Sequence, residues 1–200
     1  MKKYTLLILL FFTLTCNIAF AHVDHYKKIK LLKYDLFLNN KLIGTHIFEF
    51  EQKKDLFYVF SGGNFKVNKL GVVLLDYQTE SEEIYKNGQL VKYTSKTIQN
   101  NKKKFVKLEL NKDTNKFIID GSSFKGKTDT DKVIGNWWNI NILSVNSQIS
   151  PLSGSIKEQV VKLIGRETIV IDDKSYKTLK YRLKSKNQNL PEDKKLDFEI

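Results

Sequence analysis

Cysteine and arginine are scarce in this chain, and each scarcity excludes a class of chemistry. The single cysteine, Cys16, lies inside an apolar N-terminal segment. If that segment is removed after Ala21, the remaining chain has no cysteine, which excludes disulfides, thiol catalysis and cysteine-ligated metals. The chain also lacks an internal repeat of about 20–50 residues, a heptad run and a low-complexity linker.

Only two arginines are present, Arg166 and Arg182, although the formal net charge is +12. Arginine is the residue that contacts bases and phosphates bidentately, and the many lysines here are scattered along the chain. We therefore predict no nucleic-acid partner. The basic balance leaves peripheral contact with an anionic membrane as an open expectation.

The N-terminus has the three parts of a cleavable signal peptide. Lys2 and Lys3 give the positive start, Leu6 to Leu14 the apolar stretch, and Ala19-Phe20-Ala21 the small-residue cleavage site. The stretch is shorter than the roughly 20 apolar residues of a membrane span. We predict a signal peptide over residues 1–21 and one exported, periplasmic domain over residues 22–200. A lipoprotein cut before Cys16 is disfavoured because Thr13 and Thr15 do not suit a lipobox.

Short segments of alternating polar and apolar residues, separated by polar turns, predict an all-β chain organised mainly as an antiparallel meander. The expected form is a curved sheet, either a half-barrel or a closed barrel. The alternation of polar and apolar residues is lost between Gly121 and Gly154, where Trp137 and Trp138 predict one short helix or lid. Ser61-Gly62-Gly63 is expected to break or kink a strand, and a last strand is expected within Lys194 to Ile200.

The central hairpin turns at Asn87-Gly88, a dipeptide that accepts positive φ at low cost. A two-residue turn would mix charged and apolar side chains on both faces of the hairpin. A three-residue loop, Lys86 to Gly88, separates them, pairs Ile84 with Leu90 and points Glu83 inward. The first hairpin, around Asn39-Asn40, is expected to use a three-residue loop for the same reason, and Gly44 is expected to mark a close backbone approach.

Two side chains are candidates for catalysis, Glu83 and His46. An inward Glu83 among tyrosines would have a shifted pKa, which marks functional sites, but a structural carboxylate bonded to hydroxyls is the favoured interpretation. His46 falls on an apolar face and fits a core histidine that needs one donor and one acceptor. Nothing in the sequence places the two side chains together.

Other motifs give weaker signals. His22, Asp24 and His25 have the side chains to bind copper or zinc, but an exposed terminus is favoured, so we predict no metal and no cofactor. We predict that an inner face of aromatic and hydroxyl groups binds a ligand. Its residues are Tyr77, Glu83, Tyr85, Tyr93, Thr97, His46 and Trp138.

Several short motifs recur in an order that resembles an uncharacterised family of exported bacterial proteins, the domain of unknown function DUF6134. They are Gly44-Thr45-His46, Phe65-Lys66-Val67, Leu70-Gly71, Asn87-Gly88 and Trp138-Asn139. The resemblance implies an exported all-β domain and no particular activity. It also leads us to expect tryptophan where Tyr85 stands, and a further aromatic strand after Ile200.

Together these patterns favour a non-catalytic periplasmic protein whose curved sheet holds a lipid-like or amphiphilic molecule. Two other functions stay open. One is a periplasmic enzyme that uses Glu83 with or without His46. The other is an envelope-associated structural protein with a basic face for anionic surfaces.

Overall fold

The structure, a computed structural model, describes residue 26 and residues 28–200 and contains two β-sheets. The predicted signal peptide and the His22, Asp24 and His25 group lie outside the described residues. The strands are β1 (Leu31–Leu38), β2 (Lys41–Lys53), β3 (Leu56–Lys69), β4 (Val72–Lys86), β5 (Gln89–Gln99), β6 (Lys102–Asn111), β7 (Lys116–Gly121), β8 (Lys125–Asp129), β9 (Val133–Ile134), β10 (Ser147–Ile149), β11 (Ile156–Ile171), β12 (Lys174–Ser185) and β13 (Asp197–Glu199). Among these residues, no helix is long and apolar enough to cross a membrane.

Strands β1 to β8 form one sheet in which each strand pairs antiparallel with the next along the chain. This confirms the predicted all-β antiparallel meander. Within the described residues β1 and β8 do not pair with each other, so the curved sheet stays open and is not a closed barrel.

The β1–β2 and β4–β5 hairpins turn on two residues each, so both three-residue loops predicted from the sequence are wrong. Asn87 and Gly88 have φ of 51° and 78°, and Tyr85 pairs with Leu90 rather than with Gln89. A bulge then follows, because Ile84 pairs with Lys92 and leaves Val91 without an opposite residue. Beyond the bulge the two faces of the hairpin remain as predicted, whereas Leu90, expected opposite Ile84, lies buried opposite Tyr85.

The first hairpin repeats this arrangement. Asn39 and Asn40 have φ of 49° and 60°, and the register shifts after Leu36, which leaves Ile43 as the bulged residue. Gly44 follows the bulge, and a Cβ there would lie 2.1 Å from the carbonyl oxygen of Asn64. The close backbone approach predicted at Gly44 is therefore confirmed.

The inner face of the large sheet, the face that carries Glu83, holds most of the apolar core. Its fully buried members come from strands β2, β3, β5, β6 and β7 and include Phe48, Val59, Tyr93, Leu108 and Ile119. Each lies at an alternate position of its strand, as the period of two requires. The core is completed by residues that lie later in the chain, in the segment after β8.

That later segment crosses the inner face and continues into the smaller sheet, ordered β13-β12-β11-β10-β9. Ile134, Trp138 and Ile149 belong to the same core as the large sheet. The short helix or lid predicted around Trp137 and Trp138 is a single 3-10 turn, Ile140–Leu143. A second 3-10 turn, Glu192–Lys194, precedes β13.

Two glycine-containing segments lie inside long strands, and for the first of them the sequence predicted a break or kink. Ser61-Gly62-Gly63 does not break a strand but lies inside the 14-residue β3. Likewise Gly165 lies within the 16-residue β11, which forms a long projecting hairpin with β12. A Cβ at Gly62 or Gly165 would meet nothing within 4 Å, so these glycines are tolerated in the strand rather than needed for a turn.

Candidate functional site

Glu83 is the centre of a buried polar cluster on the inner face. Its side chain is 1% exposed, which confirms the predicted inward orientation. One carboxylate oxygen accepts a hydrogen bond from the hydroxyl of Tyr85 at 2.5 Å. The other accepts from the indole N–H of Trp138 at 2.9 Å and from the side-chain amide of Asn136. Three protein donors therefore surround this carboxylate.

Burial controls the acid–base properties of the cluster. Desolvation raises the pKa of Glu83, and the donors Tyr85, Trp138 and Asn136 offset part of that rise. The pKa of Tyr85 is raised well above its usual value by burial and by the neighbouring Glu83. Burial, followed by the charge of Glu83, also raises the pKa of Tyr93. At neutral pH both tyrosines are therefore neutral hydroxyl donors.

The cluster fastens the segment after β8 to the large sheet. Glu83 and Tyr85 lie on β4, whereas Asn136 and Trp138 come more than fifty positions later. The neighbouring strand β5 makes similar bonds, because the hydroxyls of Tyr93 and Ser95 donate to the carbonyl of Pro151 at 3.0 and 2.6 Å. The three contacts of Glu83 are buried, so the geometry indicates a structural role for Glu83 rather than contact with a substrate.

Next to this cluster lies an open cleft of about 790 Å³ between the inner face and the later segment. Its walls on the large sheet are His46, Phe65, Leu75 and Tyr77, and Trp137 lies opposite them. Phe65 and Tyr77 stack with ring centroids 4.5 Å apart. The volume and the aromatic walls are in the range of small-molecule sites in proteins.

The two adjacent tryptophans have different surroundings. Trp138 is 2% exposed and belongs to the core, whereas Trp137 is 51% exposed and lines the cleft. The ring of Trp137 lies 5.6 Å from that of His46 and 6.3 Å from that of Tyr34. Asn136, which donates to Glu83, is also part of the cleft lining and separates the cleft from the buried cluster.

His46 is the titratable group on the aromatic wall. Its Nε2 lies 2.9 Å from the Ser61 hydroxyl, and its ring stacks on Phe48 at 4.5 Å. Burial lowers its pKa from 6.5 to about 4, so the imidazole is neutral at physiological pH. Tyr77 has a raised pKa because it is buried, and the hydroxyls of Thr79 and Thr97 partly offset the rise.

Lysines supply the charge of the cleft. Lys104, Lys157, Lys194 and Lys195 line it, and no acidic residue does. Lys195 pairs with Glu192 at 2.5 Å, outside the lining. Lys104 and Lys157 donate to neutral oxygens, of the Gln99 side chain and the Lys194 carbonyl, at 2.7 and 3.0 Å. The cleft therefore combines apolar walls with a positively charged polar lining.

The structure divides the seven predicted ligand residues into two groups. Glu83, Tyr85, Tyr93 and Trp138 are enclosed in the buried cluster and core. His46 and Tyr77 line the cleft, and Thr97 is buried beside Tyr77, with its hydroxyl 2.8 Å from that of Thr79.

Glu83 and His46 do not form an acid–base pair. His46 lies in the same row of the sheet as Gly63 and Thr79, whereas Glu83 is four positions further along β4. At about 3.3 Å per residue this separates the two rows by about 13 Å. In the described part of the chain, no three His, Cys, Asp or Glu side chains are grouped as metal ligands.

Sequence reasoning missed the residues that the later segment contributes. Asn136, Pro151 and Trp137 lie in an irregular stretch without periodicity, so no pattern assigned them to the inner face. The paired amides Gln148 and Gln159, joined at 2.6 Å, were missed for the same reason. The one available signal was the closeness of Asn136 to two tryptophans in a stretch poor in other aromatic residues.

Comparison with known proteins agrees with the motif resemblance. The searches of curated proteins and of solved structures gave no match. A family described as a domain of unknown function, DUF6134, matches residues 34–197, which include strands β2 to β12 and nearly all of the cleft. The chain therefore belongs to the DUF6134 family.

Proposed function

We propose that the protein is a non-catalytic periplasmic binder of an amphiphilic molecule that carries an anionic head group. The observation that carries this proposal is the lining of the cleft beside the Glu83 cluster. Aromatic and aliphatic walls suit an apolar body, and the lysines without an acidic neighbour in the lining suit a negative head. The signal-peptide pattern of residues 1–21 supports export.

The orientation of the ligand follows from where each group lies. Phe65, Leu75 and Tyr77 form the apolar wall, which is the surface that an acyl or ring system would cover. Lys104 and Lys157 carry their ammonium groups on neutral acceptors, so an anionic group would gain a charge-assisted bond from each without breaking an ion pair. The neutral state of His46 keeps this wall uncharged above about pH 5, because its pKa is about 4.

An enzymatic function is less well supported by the same geometry. The carboxylate oxygens of Glu83 are occupied by three protein donors, and its side chain is 1% exposed. A general base has to reach the proton that it abstracts, directly or through one water. Glu83 would have to lose the contacts that fasten Asn136 and Trp138 before it could do so.

Binding of cis-parinaric acid, an anionic fluorescent fatty acid, tests the proposal. We expect saturable binding, and weaker binding of its methyl ester because the ester has no charge. Trp137→Ala and the double variant Lys104→Gln/Lys157→Gln should each weaken binding several-fold. Lys107→Gln, on the outer face of β6, is the matched control and should have no effect. Equal binding by all variants, or no saturable binding by the natural chain, would contradict the proposal.

A further inference from the structure

We propose that one end of the large sheet, formed by the tips of the β1–β2 and β3–β4 hairpins, docks on an anionic lipid bilayer. This inference does not rest on the ligand proposed for the cleft, because docking needs only the exposed tips. The residues of the two tips belong neither to the buried cluster nor to the cleft lining.

The two tips lie side by side at the same end of the sheet. Gly44 of β2 pairs with Phe65 of β3, so the turn at Asn39-Asn40 and the turn at Leu70-Gly71 project in the same direction. The first tip exposes Phe37 (63%), Leu38 (45%) and Leu42 (53%). We call these residues, together with the β3–β4 tip, the apolar tips.

The β3–β4 tip is the more exposed of the two. Leu70 is 95% exposed, followed by Val72 at 60%, Leu74 at 51% and Val73 at 50%. Single exposed apolar residues are ordinary on protein surfaces, but a contiguous group of this kind marks a surface for a partner or a membrane.

Leu70 is also an unusual residue for its backbone conformation. It has φ of 49° in a turn where Asn39, Asn87 and Asn100 take the corresponding position in other hairpins. Asparagine tolerates the left-handed region, whereas leucine is strained there. A strained and almost fully exposed leucine does not stabilise the folded chain. Its side chain therefore points to a contact with a partner.

The opposite end of the same sheet provides an internal comparison. Its turns include Lys54-Asp55 and Asn87-Gly88, and the nearby apolar residues Leu56, Leu90 and Leu110 are half-buried or buried. Exposed apolar tips are therefore a property of one end, not of every hairpin in the sheet.

Charge favours an anionic bilayer as the occupant. The end with the apolar tips carries basic residues on three of its strands, namely Lys41 on β2, Lys66 and Lys69 on β3, and Lys102 and Lys103 on β6. The two acidic residues there, Asp35 and Asp76, are each paired with a lysine, at 3.1 and 2.8 Å. Apolar side chains ringed by lysines give the two signals, insertion and head-group attraction, that stable peripheral binding needs.

The β3–β4 tip also lies next to the apolar wall of the cleft. Phe65, Leu75 and Tyr77 line the cleft on the same two strands, β3 and β4, that extend into the second tip. A bilayer in contact with the tips would therefore lie next to an apolar wall of the cleft.

Vesicle co-sedimentation tests the inference, using protein produced from the full-length gene and vesicles of phosphatidylcholine with and without phosphatidylglycerol. We expect binding that requires phosphatidylglycerol and weakens with salt. Leu70→Asn should lower the partition coefficient about tenfold, since a fully buried leucine contributes at least that much. Because asparagine suits the turn, this variant should be at least as stable as the natural chain. Leu163→Asn is the control, because Leu163 is 53% exposed but lies on the β11–β12 hairpin.

A fluorescent label gives an independent readout of the contact. Val72→Cys and Gln89→Cys, each in a Cys16→Ser background and labelled with an environment-sensitive dye, report on opposite ends of the sheet. A blue shift at position 72 alone supports docking by the apolar tips. In co-sedimentation, the inference is overturned if phosphatidylglycerol vesicles do not bind the protein or if Leu70→Asn binds as well as the natural chain. It is also overturned if Leu163→Asn loses as much binding as Leu70→Asn, or if the labels at positions 72 and 89 shift equally.

Discussion

Replacing Glu83 tests the buried cluster, because the structure gives a different expectation for each substitution. In Glu83→Gln the amide oxygen can keep the donors Trp138 and Asn136, but the amide nitrogen then faces the hydroxyl of Tyr85. That hydroxyl loses its acceptor, and a buried donor without a partner costs about 1–3 kcal/mol. Loss of the desolvated carboxylate offsets part of this cost, so we expect about 1–2 kcal/mol of destabilisation at pH 7.

Glu83→Leu removes all three acceptor contacts while keeping a side chain of similar size. Three buried donors are then unpaired, so the loss should be about 3 kcal/mol or more. Glu80→Gln and Glu82→Gln are the controls, because both side chains point to the outer face and surface changes usually stay within about 0.5 kcal/mol. Urea unfolding of the four variants measures these differences.

The pH dependence of Glu83→Gln has a defined sign. Burial raises the pKa of Glu83 in the folded chain above the ordinary value of 4.5, which applies to the unfolded chain. Between the unfolded and the folded pKa, the folded state therefore holds more protons than the unfolded state. The natural chain therefore loses stability at this site as pH rises through that window, and the loss is absent below about pH 4.5. We expect the destabilisation by Glu83→Gln to be larger near pH 4.5 than at pH 7.

Equal and negligible effects at Glu80, Glu82 and Glu83 would refute the inward position of Glu83. A Glu83→Gln variant that was at least as stable as the natural chain, and that had lost a measurable activity, would instead indicate a functional carboxylate.

Three further predictions concern the turn, the histidine and the N-terminus. Gly88→Val should cost at least about 1 kcal/mol, because Gly88 has φ of 78°, while Gly62→Ala should change the melting temperature little; equal effects would contradict the turn. The folded pKa of His46, about 4 against 6.5 unfolded, makes stability fall as pH drops between those values, by about 1 kcal/mol after allowance for partial exposure. His46→Gln should flatten this slope in urea titrations, and an unchanged slope would refute the assignment. Intact mass should give a mature chain beginning at His22, and a lipidated start at Cys16 would contradict this.

The faces of the central hairpin could be predicted, although its register could not. Alternation along β4 and β5 identifies the side chains that share a face, because a strand has a period of two. It does not distinguish a longer loop from a two-residue turn followed by a bulge. The two arrangements shift the pairing by one residue in opposite directions, so beyond the bulge they place the same side chains on each face. No sequence signal marks Val91 or Ile43 as a bulged residue, so the bulges were not predicted. The inward orientation of Glu83 was nevertheless predicted correctly, although the predicted loop length was wrong.

The partners of Glu83 could not be predicted because they come from distant, irregular parts of the chain. Asn136 and Trp138 meet β4 only after the segment beyond β8 has crossed the sheet. Their positions depend on the folded core, which includes Ile134 and Ile149, and local periodicity contains no such information. The cleft could not be predicted for the same reason, because Trp137, Lys194 and Lys195, which help to enclose it, lie much later in the chain than strands β3 and β4.

Native mass spectrometry of the protein purified from its own envelope tests the central proposal most directly. We predict a complex heavier than the chain, with an extra mass that corresponds to an anionic amphiphile. The complex should be reduced in Trp137→Ala and in Lys104→Gln/Lys157→Gln but kept in Lys107→Gln. A bare chain under conditions that preserve non-covalent complexes, or an adduct that all three variants retain equally, would contradict it.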